Sequence, residues 1–371
     1  TQPSSLTLLT NLSTYEISDF MSLDSATRRN LELTETIRTG QIEGSLLSIL
    51  DHTKSPMGKR LIRQWLNRPL LNKKKINERL DMVETLIQEG LLRVELRECL
   101  GGITDIERAM NRIIAGHAIP RDLVALRNTL EIMPNLVSIL AESNLASTEI
   151  ASKIDPCVDE FNLLISSISD EPPATLQNTG IIRPGYSTEL DNTLAMSKNA
   201  RDWIANLETT ERERTGIKSL KVGFNRVFGY YLEVTHSNTI NVPDEYIRKQ
   251  TLVNAERYIT PEMKEYEILV LNAEERIHEI ELKLFKEICQ KLSGTCDRLF
   301  ATSRAIAELD VLASFSEAAA SKKYCRPIIL DEPTLEIVDG RHPVVEDSLS
   351  RQRFIPNDTT FEKGEIILIL T

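Results

Sequence analysis

The run LKVGFNRVFGYYLEV, residues 220–234, breaks a helical period and replaces it with an alternating one. Leu220, Val222 and Phe224 alternate with Lys221, Gly223 and Asn225, the two-residue period of a strand with one buried face. A turn around Arg226 and the stretch 229–234 complete a hairpin pattern. On both sides the period is helical. Residues 187–215 read as one helix that ends in ERERTG, with Gly216 placed as its stop. In residues 261–291, Met263, Tyr266, Val270, Ala273, Ile277, Ile280 and Leu284 recur in alternating steps of three and four, the seam of a coiled coil. About 30 residues at ~1.5 Å each make roughly 45 Å of helix, a length that favours an extended arm over ordinary core packing. A helix runs out, a small β module follows, and a helix returns.

Upstream, start signals mark one helix after another. Ser55-Pro56 puts a cap before a first-turn proline, Thr104-Asp105-Ile106-Glu107 reads as a capping box, and Pro120 opens a further helix. Leu61, Trp65 and Leu66, and then Leu80, Val83, Leu86 and Ile87, keep the helical spacing, and no strand is expected in 19–140. Lysines 73–75 and the group Lys59, Arg60 and Arg63 read as solvated helix faces. Residues 170–185, rich in proline and glycine, read as loop.

The chain has 371 residues, room for two to three domains. Its five cysteines form no C-x-x-C pair, which predicts neither a disulfide framework nor a zinc site and fits a reducing cytosol. No leader pattern opens the chain, and no apolar run approaches the ~18 residues a membrane helix needs. The first residue is Thr1, and the last eight are GEIILILT. Residues 366–370 are continuously apolar, the pattern of a strand buried on both faces, and are open to two readings: an edge strand under the chain's own helices, or a strand cut from its covering helix.

A net charge of −11 excludes a surface that is basic all over, so any nucleic-acid contact must be local. Residues 218–257 hold six basic residues (Lys218, Lys221, Arg226, Arg248, Lys249, Arg257) against four acidic (Glu233, Asp244, Glu245, Glu256). The tip is therefore +2 and the remainder −13. That sign reversal suits contact with a polyanion through its phosphates, although an ordinary solvated hairpin has a similar balance. Tyr230 and Tyr231 fall on opposite strand faces, so one of them belongs to the core.

The same run, with YIRKQTLVNAERYITPEMKE from Tyr246, resembles the clamp of the MutS family of DNA mismatch repair proteins. Upstream, LDSATRRNLEL from Leu23, GSLLSILDHTKSPMGKR from Gly44 and DIERAMNRI from Asp105 look like the family's core and lever segments. Downstream, DGRHPVVE from Asp339 and FIPND from Phe354 look like the start of its ATPase domain. The resemblance covers essentially the whole chain. It implies a mainly α fold: a long-helix lever domain, a β-rich clamp inserted at the tip of two long antiparallel helices, and a truncated C-terminal β segment of an α/β ATPase domain. The implied domains are 1–199 core and lever, 200–260 clamp, 261–325 returning lever helices, and 326–371 the first part of the ATPase domain.

The family implies double-stranded DNA as partner, a homodimer, a MutL-type repair partner, ATP with Mg as cofactors, and a cytoplasmic location. It also implies backbone contacts at Lys221, Asn225, Arg226, Arg248, Lys249, Gln250, Thr251 and Asn254. Val253 stands where relatives carry a basic residue, so one phosphate contact is missing. On the nucleotide side, Phe354 resembles the aromatic that stacks on adenine, with Ile355 and Asn357 nearby. Arg341-His342-Pro343 is familiar but is assigned no chemical step. The family's mismatch-reading Phe-x-Glu element belongs to an N-terminal domain that the resemblance does not include here, so the fragment is expected not to tell a mismatch from a matched pair. A phosphate loop G-x-x-x-x-G-K-[ST] is also absent from the sequence, so the chain is expected neither to hydrolyse ATP nor to bind it well. The closing run then looks like the strand that feeds that loop, expected to pair near 335–338 and Phe354. The alternative to a DNA clamp is a structural coiled-coil arm whose tip binds a protein.

Overall fold

Fourteen buried residues along a single helix, Cys296–Lys322, mark the centre of the larger of two compact units. The computed structural model describes residues 19–225, 227, 229–332, 334–349 and 354–361. Arg226 and the closing run 366–370 lie outside them. The chain is mainly helical with small antiparallel sheets.

In chain order the described helices are α1 Ser25–Asn30, α2 Leu46–Leu50, α3 Pro56–Asn67, α4 Lys73–Gln88, α5 Gly90–Gly101, α6 Ile106–Ile114, α7 Pro120–Ala141, α8 Glu149–Lys153 and α9 Val158–Ser167. They are followed by α10 Thr188–Thr215, α11 Pro261–Gly294, α12 Cys296–Lys322 and α13 Pro343–Ser348. Strands β1 Lys221–Asn225, β2 Gly229–Thr235, β3 Ile247–Thr251 and β4 Ala255–Ile259 form one sheet, and β5 Leu335–Gly340 pairs with β6 Asn357–Phe361. By contact, and among the described residues, the first unit comprises 19–118, 122–162 and the part from 291 onward, and the second 119–121 and 163–290.

In the first unit α12 packs against α3, α4, α5, α6 and α8. Its Asp310, fully buried, accepts the backbone N–H groups of Lys54 (2.9 Å) and Ser55 (2.7 Å) and the Ser55 hydroxyl (2.7 Å). Ser55 Oγ in turn accepts from Gly58 N at 3.0 Å and caps α3, with Pro56 in the first turn as expected. The expected capping box at Thr104 does not form, and the N-cap falls one residue later. Asp105 is the N-cap of α6, accepting from Arg108 N at 3.1 Å. Thr104 instead bonds Thr129 and the Ala125 carbonyl on α7, and Glu107 is held by Arg60. A tertiary partner for the threonine hydroxyl overrides the local pattern.

Helix α7 is long and apolar enough to cross a membrane, contrary to the expectation that no run approaches that length. Its Leu123, Leu126, Leu130, Met133 and Leu136 are all essentially inaccessible, the one-sided burial of a core helix. Between residues 19 and 140 the only strand-like feature is one isolated bridge between Phe20 and Leu70, both outside the helices.

In the second unit α10 and α11 run antiparallel. Trp203 stacks on Tyr266 with centroids 3.9 Å apart, Ala200 and Ile204 pack with Val270, and Arg201 pairs with Glu274 and Glu189 with Arg276. The partner number falls as the residue number rises. The seam of α11 lies inward at Met263, Val270, Ile277 and Ile280, with Tyr266, Ala273 and Leu284 half-buried. Past that point the buried stripe moves to Phe285, Ile288 and Leu292, the drift expected of a 3.6-residue helix from a 3.5-residue repeat. Glu281, 2% exposed, accepts the N–H groups of Gly180, Ile181 and Ile182 at 2.9, 3.0 and 3.2 Å and so holds the proline-rich loop on α11. Burial pushes its carboxyl up, against those three donors.

Gly216 ends α10 at φ 72°, the left-handed C-cap expected of it, and the sheet begins five residues later. The sheet stands where α10 ends and α11 begins. Its core face joins Leu220, Leu232, Val234, Tyr246 and Tyr258 to Leu207 of α10 and Met263 of α11.

Candidate nucleic-acid interface

The four strands lie in the order β1-β2-β4-β3, all antiparallel. Register places Lys221 opposite Glu233, Glu233 opposite Arg257, and Arg257 opposite Gln250, so one row crosses the whole sheet. Residues directly opposite share a face, and this row alternates with the core residues Leu232 and Tyr258, so it lies on the other face. Arg257 ties the row together: it donates to Glu233 at 2.9 Å and to Gln250 at 3.0 Å. Its guanidinium also lies 4.2 Å from the centre of the Tyr231 ring. Tyr231 in turn extends across β1 at Gly223, where a Cβ would stand 2.5 Å from its ring. Gly223 is therefore the space the ring needs. The sequence marked it only as one member of an alternation.

Tyr230 faces the opposite way, packs edge-on to Phe224 with centroids 5.0 Å apart, and leans on the core. Both tyrosines are half-buried, and they lie on opposite faces with Tyr230 alone packed on the core cluster, as the alternation required.

The residues implied as backbone contacts divide into groups. Lys221 and Gln250 share the exposed row, and Asn225 lies on the same face of β1. Asn225 Oδ1 accepts from Val227 N at 2.8 Å and shapes the hairpin turn. A register shift between Arg248 and Gln250 leaves Lys249 as the extra residue of a bulge. The bulge sends Arg248 to the face of its opposite residue Tyr258, where it bonds Glu256 at 3.3 Å. Thr251 lies opposite Glu256 on that same side. Asn254 stands exposed in the β3–β4 turn, its carbonyl taking His236 N.

Charge is distributed unevenly among these residues. Arg257 and Arg248 are committed to Glu233 and Glu256. Among the described residues, Lys221 and Lys249 form no ion pair, and both are exposed. Glu256 also accepts from the Tyr258 hydroxyl, whose pKa burial and this carboxylate push up to about 12. Tyr258 is therefore a donor fixed in place, not a titrating group. The face can offer a polyanion the uncommitted Lys221 ammonium, one shared guanidinium, the Gln250 amide and the Tyr231 ring, with a second uncommitted ammonium at the bulge residue Lys249.

On the nucleotide side, Phe354 is half-buried, Ile355 is 78% exposed, and Asn357 opens β6 opposite Gly340 with its amide donating to the Ile355 carbonyl at 3.3 Å. His342 caps α13 by accepting Val345 N on Nδ1 at 3.3 Å, and Arg341 donates to the Lys322 and Lys323 carbonyls that end α12. These are packing and capping roles.

The helix pair thus ends in a small sheet whose face opposite the core carries Lys221, Arg257 and Gln250 in one row. The chain belongs to the MutS domain III family, whose model matches residues 26–316. It is 47% identical over 373 residues to the DNA mismatch repair protein MutS of Halothermothrix orenii, matching all of this chain and 42% of that protein. The protein of the same description from Ruminiclostridium cellulolyticum is 47% identical, covering 98% of this chain and 42% of its own length. The Methanosarcina barkeri protein is 46% identical, covering 98% of this chain and 41% of its own length. The chain thus spans about 42% of the length of the curated relatives it matches.

Proposed function

We propose that this chain is the part of a DNA mismatch repair protein that grips duplex DNA by its backbone and passes that grip to long helices. The observation that carries this is the single exposed face holding Lys221, Gln250, Arg257 and Tyr231, with Lys221 and the bulge residue Lys249 free of ion pairs among the described residues. Membership of the family supports DNA as that polyanion. In this reading 1–199 is core and lever, 200–260 the clamp, 261–325 the returning lever, and 326–371 the beginning of an ATPase domain in which Phe354, Ile355 and Asn357 face adenine. Arg226, Arg248, Thr251 and Asn254 complete the backbone contacts. ATP with Mg, a homodimer, a MutL-type partner and a cytoplasmic setting belong to the whole protein.

Fluorescence anisotropy with a labelled duplex at low salt tests the grip. Binding is expected to be sensitive to salt and equal for matched and mismatched duplexes. Lys221→Ala and Lys249→Ala should each weaken it alike on every sequence and lower the salt slope by about one. Absence of binding at low salt, or binding indifferent to both replacements, would return the tip to the class of protein-binding arms.

A further inference from the structure

The free edge of β1 is closed by an ion pair instead of a strand. β1 is an outer strand, so alternate residues turn their N–H and C=O groups away from β2. Val222 N–H donates to Glu208 Oε2 at 2.9 Å, and the Leu220 carbonyl accepts from Arg212 Nε at 2.7 Å. The other Glu208 oxygen pairs with Arg212 Nη2 at 2.7 Å. An i,i+4 pair on α10 therefore supplies the acceptor and the donor that a neighbouring strand's peptide would supply. Three residues beyond Glu208, Glu211 is 7% exposed and accepts the hydroxyl of Tyr246, the residue before β3, at 2.6 Å. The last turns of α10 thus hold the sheet at β1 and at the approach to β3.

Between the two gripped peptide groups stands Lys221, on the exposed row. We propose that Glu208 and Arg212 are positioning residues for polyanion contact. By fixing the backbone on either side of Lys221 they hold its ammonium in register with Gln250 and Arg257. This rests on the reading of that face as a DNA grip.

The sign of the effect separates positioning from simple charge. Removing a carboxylate beside a polyanion site strengthens binding by plain electrostatics. Positioning demands the reverse: Glu208→Ala should weaken duplex binding about tenfold, the scale of one lost charge-assisted hydrogen bond. Glu208→Gln, which keeps an acceptor for Val222 N–H, should retain wild-type affinity or exceed it. In a double-mutant cycle, Glu208→Ala should add nothing once Lys221 is alanine. Affinity unchanged or raised in Glu208→Ala, loss in Glu208→Gln equal to that in the alanine variant, or independent effects of the two sites would each overturn the proposal. If the unaltered chain fails to bind duplex at low salt, the reading of the face itself falls; if it binds and Lys221→Ala matters but the cycle is additive, only the positioning role falls.

Discussion

Replacing Asp310 by alanine is expected to lower the unfolding free energy of the first unit by about 4 kcal/mol, read as a shift of the urea midpoint followed by circular dichroism. Its carboxylate is the partner of Lys54 N–H, Ser55 N–H and the Ser55 hydroxyl, all against a side chain with no solvent access. Alanine leaves the N–H and hydroxyl of Ser55, a residue with no solvent access, unpaired, and removes the group that orients the cap of α3. Gly58 provides the cross-check. A Cβ there would stand 2.1 Å from Asp310 Oδ2, so Gly58→Ala alone should be comparably destabilising. In the Asp310→Ala background the two closest atoms are gone and only the Cβ at 3.0 Å remains, so Gly58→Ala should then cost much less. Additive losses in the double variant would show that the glycine matters for some reason other than the carboxylate.

Gly229→Ala is expected to destabilise the sheet by about 3 kcal/mol or more and to weaken duplex binding in parallel. Two constraints meet at this residue. Its φ is 83°, in the left-handed region, and an added Cβ would stand 1.8 Å from Glu267 Oε1. Glu267 is 7% exposed and paired with Lys264 at 2.7 Å, so it has little freedom to withdraw. Shortening it in the pair Gly229→Ala with Glu267→Ala should recover the steric part and leave the backbone part, about 1 kcal/mol. Hydrogen exchange at Tyr231 and Glu233 would report the loss along β2. Unchanged protection in Gly229→Ala would mean that the hairpin tolerates the side chain by shifting as a body.

Much of this was legible in the sequence where the cause is local. Gly216 stops α10 because a left-handed residue is needed there, Ser55-Pro56 starts α3 because capping is a matter of three residues, and the two-residue period of 220–234 is intrinsic to a strand. What was not legible depends on distant partners. Asp310 lies 255 residues from Ser55 and Glu281 about 100 from the loop it holds, and nothing in the local pattern marks either acid as buried. Thr104 carries a capping signature, yet its hydroxyl is taken by α7. In the candidate interface, the side chains of Lys221 and Gln250 are visible in the sequence, but that they share a face follows from the bulge at Lys249. A shift of one residue there reverses every side chain that follows. Arg257, which joins Glu233, Gln250 and Tyr231, was only one of six tip cations until the register was known.

The two tryptophans fall one in each unit. Trp65 lies beneath the Arg79 guanidinium, 3.2 Å from its ring centre, and beside Phe315 in the first; Trp203 is stacked on Tyr266 between α10 and α11 in the second. Each indole therefore has a distinct neighbour, a cation in one case and a phenol in the other. Single-tryptophan variants would turn the chain into its own pair of optical probes, one reporting the helical body and the other the opening of the helix pair, with no label attached.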